Sequence, residues 1–77
     1  MNLGVIFAVL EQGLKLWNSK EASKYLDKMI KLKVRWHEEY SKPEVKRSDV
    51  ALDAIELHLR ILCESFVAAS SVTNTKD

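Results

Sequence analysis

Cysteine, proline and glycine are all scarce in this chain, with one, one and two copies respectively, and each scarcity narrows the fold. A single cysteine, Cys63, rules out an intrachain disulfide. So few glycines and prolines predict long, uninterrupted elements. Strand-like alternation of apolar and polar residues appears nowhere over a useful length. An excess of one charge is missing too: 12 basic and 11 acidic side chains leave a net +1. That balance removes the bulk electrostatic argument for a dedicated nucleic-acid binder or a strongly cationic membrane peptide.

Long hydrophobic runs are also absent. The apolar stretch Leu3 to Leu10 gives way to Glu11, Gln12 and Lys15, well short of the roughly 20 residues a membrane span needs. No lysine or arginine precedes that stretch and no convincing small-residue cleavage site follows it, so a secretory signal is not expected and a reducing cytoplasm is the default setting. At 77 residues the chain sits near the lower limit for a self-sufficient core. With disulfides excluded, efficient helix packing or oligomerisation must supply the rest.

What is present is helical periodicity in three blocks. At about 100° per residue, the first block, about 2–17, places Leu3, Ile6, Phe7, Leu10, Leu14 and Trp17 on one face and Val5, Val9 and Leu16 on another. The second block, about 20–40, carries a broad stripe of Ala22, Tyr25, Leu26, Met29, Ile30, Leu32, Trp36 and Tyr40, with Ser19 as its expected N-cap. Pro43 ends it. The third block starts at one of two signals. Ser41-Lys42-Pro43-Glu44 has the spacing of a capping box, and Ser48-Asp49 is the alternative, so the helix runs from about 43 or 49 to 69. Its polar residues Asp49, Asp53, Glu56, Arg60 and Glu64 form a narrow strip, and apolar residues cover most of the remaining girth. The reading is one all-α domain over 1–70, a three-helix up-down-up bundle, with 71–77 as a flexible polar tail.

A lone bundle needs one apolar stripe per helix, yet the first and third blocks have more than one. The expectation is a non-enzymatic interaction module that forms a homodimer or docks on a larger complex, with Val5, Val9, Leu16, Trp17, Trp36, Leu57, His58 and Ile61 at the interface. Trp17 and Trp36 are the expected anchors. Small accessory proteins of this kind are frequent in viruses and mobile elements, a prior that no residue here decides.

Two further readings stay open. The first helix could lie in a membrane surface, although its polar face lacks the usual lysines and arginines. Alternatively, Lys24, Lys28, Lys31 and Arg35 form a ridge at spacings of three and four that suits anion contact and could regulate a nucleic acid, although Glu21, Asp27, Glu38 and Glu39 blunt its field. Lys33 stands within the apolar stripe, where it would snorkel to water or meet an anion.

Chemistry has little footing. His37 lacks a second histidine four residues on, and His58 and Cys63 are five apart, which puts them on different faces. No nucleophile constellation surrounds Cys63, and Gly4 and Gly13 form no phosphate loop. No metal, cofactor or small-molecule substrate is expected.

Overall fold

The computed structural model describes residues 2–16 and 20–75. For Leu16, Glu21 and residues 70–75 it describes the backbone only. Among the described residues there are three α-helices and no strand: α1 (Leu3–Leu16), α2 (Lys20–Tyr40) and α3 (Asp49–Thr75), with a 3₁₀ turn at Glu44–Lys46. They form an elongated bundle of 51 × 18 × 17 Å. The α2–α3 pair is the principal interface, and α1 lies against both.

Local chemistry sets the boundaries. Asn2 caps α1: its Oδ1 accepts the Val5 N–H at 2.9 Å while its carbonyl accepts the Ile6 N–H at 3.1 Å. Ser19, the expected cap of α2, lies outside the described residues. Of the two starts open for α3, the chain uses Ser48. Its Oγ accepts the Ala51 N–H at 3.1 Å and its carbonyl accepts the Leu52 N–H at 3.1 Å. Ser41 caps no helix, because Pro43 is extended (φ −54, ψ 145) and Glu44–Lys46 closes only a 3₁₀ turn. At the other end, α3 continues to Thr75, past the end expected at residue 69 and through much of the stretch read as a tail. No glycine or proline follows Ala69 to stop it.

Glu39 ties the α2–α3 turn together. In a capping box, a glutamate or glutamine three residues past the cap reaches back to the cap's own N–H. That position in α3 is Ala51, which has no such group. Glu39, at the end of α2, takes the role instead: its Oε2 accepts the Ser48 N–H at 2.8 Å, and its Oε1 meets the Lys42 ammonium at 3.0 Å. The Ser48 amide, and after it Lys42, hold the Glu39 carboxyl below its ordinary value.

The core joins Ile6 and Leu10 of α1, Ala22, Leu26, Met29 and Leu32 of α2, and Leu59, Leu62, Cys63 and Phe66 of α3. Among the described residues, no polar or charged side chain is buried. At Gly13, α1 closely approaches both of its neighbours. A Cβ there would stand 2.9 Å from Leu26 Cδ2 and 3.0 Å from Phe66 Cζ, so the missing side chain lets one helix settle against two.

Candidate interaction surface

The core of α3 uses Leu52, Ile55, Leu59, Leu62 and Phe66, alternating steps of three and four along the side facing α1 and α2. A second series with the same alternation, Val50, Ala54, Leu57 and Ile61, falls about 150° away at about 100° per residue. It points outward. Val50 is 80% exposed, Leu57 54% and Ile61 53%, and Ala54 is exposed between them. α3 thus carries two seams of coiled-coil spacing on opposite sides, and the bundle covers one of them. Asp53 and Arg60, both exposed, run along one border of the outer seam; His58, also exposed, lies along the other.

The remaining residues expected at an interface divide. Val5 is 46% exposed, but its helical neighbour Val9 is half-buried and packs on the core. Trp17 and the Leu16 side chain lie outside the described residues.

Trp36 is engaged within the chain. Its ring stacks on Tyr40 (centroids 4.7 Å, planes 10° apart) and meets the ring of Phe7 on α1 edge-on at 5.9 Å. His37 lies edge-on to Trp36 at 5.2 Å and stacks on Phe7 at 5.9 Å. Phe7 therefore sits over the triangle formed by Lys33, Trp36 and His37 on one turn of α2, with the Lys33 ammonium 5.1 Å from its centroid. That answers the question of Lys33: the cation covers an aromatic face while reaching toward water. Arg47 closes the far end, 4.5 Å over Tyr40. Trp36 Nε1 and Arg47 Nε are both enclosed without a hydrogen-bond partner among the described residues. This cluster was not legible as a unit, because only the register of α1 on α2 brings Phe7 to it.

Lys24, Lys28, Lys31 and Arg35 all stand exposed along the outer face of α2. Beside Arg35 lies an open depression of about 270 Å³ lined also by Glu38, Glu39, Lys42 and Ile55. Its charges are mixed, and Glu39 and Lys42 already engage each other. On α1, Ile6 and Leu10 belong to the core and Leu3 and Phe7 pack against it, so among the described residues of that face Leu14, 51% exposed, stands farthest out of the bundle. No described helix is long and apolar enough to cross a membrane.

Cys63 is fully enclosed in the core, and burial, with Glu64 adding to it, pushes its thiol up, which disfavours the thiolate. Among the described residues no three histidine, cysteine, aspartate or glutamate side chains gather as metal ligands would. Comparison with protein-family models, curated proteins and solved structures gives no match for this chain.

Proposed function

We propose that this protein is a small, non-enzymatic helical interaction module that docks through the outer seam of α3. The observation that carries the reading is the outward series Val50, Ala54, Leu57 and Ile61. Scattered apolar side chains are ordinary on protein surfaces. Four in a single line at heptad spacing, over about 16 Å of helix, match the stripe by which a helix packs on a neighbour. Fully burying a side chain the size of leucine or isoleucine contributes about 1.5 to 3 kcal/mol, so half-exposed Leu57 and Ile61 leave a sizeable stabilisation for a partner to complete. A lone buried thiol suits a reducing compartment, and we place the protein in the cytoplasm on that ground.

The experiment is site-specific photocrosslinking in the producing cell. A photoreactive residue at position 57 is expected to give a discrete adduct, whereas one at Lys24, on the outer face of α2, gives none. Equal labelling from both positions, or none from position 57, refutes the assignment.

A further inference from the structure

Resting on that reading, we propose that the occupant of the outer seam is a second copy of this chain, with the two α3 helices antiparallel in one register set by Asp53 and Arg60. In antiparallel helix pairs each layer joins the two kinds of seam position, so Val50 of one copy lies across from Ile61 of the other, and Ala54 from Leu57. Symmetry repeats both layers, and alanine opposite leucine gives the small-against-large fit that lets helices close.

Charge selects this register from its neighbours. Asp53 and Arg60 are exposed on the same border of the seam, one heptad apart and opposite in sign. Pairing Ala54 with Leu57 brings Asp53 of each copy alongside Arg60 of the other, twice by symmetry. Sliding by one heptad in one direction sets Arg60 against Arg60; sliding in the other sets Asp53 against Asp53. A parallel pair in register would stack Glu64 on Glu64 at a seam position. Only the stated arrangement pairs opposite charges at this border. The contact is short, so it belongs to the weak interfaces below about 1,200 Å², with dimerisation in the micromolar range.

Sedimentation equilibrium on the purified full chain, from micromolar to millimolar concentration, tests this with charge-swap variants. Asp53→Lys and Arg60→Glu each turn both pairs into like-charge contacts and are expected to weaken the dimer at least about tenfold, more at low salt than at high. Mixing the two variants recreates both attractive pairs, so the equimolar mixture regains wild-type affinity, and the double variant Asp53→Lys/Arg60→Glu dimerises on its own. Both positions are exposed, and far-UV circular dichroism reports whether each variant is folded. A wild-type chain that stays monomeric at millimolar concentration, a dimer indifferent to both swaps, or a mixture that fails to recover overturns the proposal. If the isolated chain is monomeric while position 57 still crosslinks to a different protein in the cell, the second-copy assignment falls and the interaction reading stands. Loss of both signals removes both.

Discussion

Replacing Gly13 with alanine sets two effects of known size against each other. In an unobstructed helix the change stabilises by about 1 kcal/mol, because glycine is the poorer helix former. Here the added methyl carbon meets Leu26 Cδ2 at 2.9 Å and Phe66 Cζ at 3.0 Å. Comfortable carbon contacts lie near 3.5 to 4.0 Å, so Leu26 must shift and Phe66, on a different helix, must give by a few tenths of an ångström, and both are buried in the core. Overpacking of that kind costs about 1 to 3 kcal/mol. The packing term wins, and Gly13→Ala is expected to lose about 1 kcal/mol net, or about 4 to 8 °C in Tm for a domain of this size. Urea unfolding followed by circular dichroism measures it. Gly4 is the internal control: its added Cβ would meet only Asn2 Oδ1 at 3.4 Å, so Gly4→Ala is expected to be neutral or stabilising. Trimming the obstruction with Phe66→Leu should reduce the cost of Gly13→Ala, giving a coupling of about 0.5 to 3 kcal/mol. Equal stabilisation by both alanines would refute the close approach of α1, and with it the register of the bundle.

Other perturbations have equally definite outcomes. Leu59→Ala removes a fully buried side chain at the centre of α3 and should cost about 2 to 5 kcal/mol by urea titration, against a total of about 4 to 12 expected for this length. Because folding lowers the Glu39 carboxyl, its contribution is present above the ordinary value of 4.5 and is lost as pH falls through the lower folded value. Glu39→Gln is thus expected to be less stable than wild type at neutral pH, with the gap closing in acid; a gap independent of pH would count against the Ser48 clasp. Cys63 should resist a water-soluble thiol reagent in the folded protein and react at the rate at which the core opens, faster in Leu59→Ala than in wild type. Prompt labelling of the native chain would contradict its burial.

The helical architecture was legible because apolar residues repeat every three to four positions with few interruptions, and that signal lives within each segment. The doubled seam of α3 was legible for the same reason. Which residues meet across segments was not. Trp36 has the composition of an interface anchor, yet Phe7 lands on the turn that bears it and the ring is stacked inside one chain. Val9 shares a helical face with Val5, but the placement of α1 turns one toward the core and leaves the other half out. Gly13 read as an isolated glycine within a helix, and its use emerges only when Leu26 and Phe66 arrive beside it. The start of α3 turned on a side chain nine residues upstream, Glu39, which local capping rules do not consult.

Exposed apolar side chains also occur elsewhere, and their arrangement explains why α3 is the face to expect covered. On α2, Ile30 is 36% exposed and Val34 52%, but the two are one turn apart and the next step along that line is His37 or Glu38. On α1, Val5 stands out beside a neighbour that is already packed. A single turn offers one layer, and one layer sets neither register nor direction. The outer seam of α3 supplies four successive positions with opposite charges at its border, which is enough to distinguish one alignment from its neighbours. α3 is also greasy around more of its girth than α2, and the bundle encloses it on one side only. Association along the second seam would bring its burial into line with its composition, without asking any other helix to move.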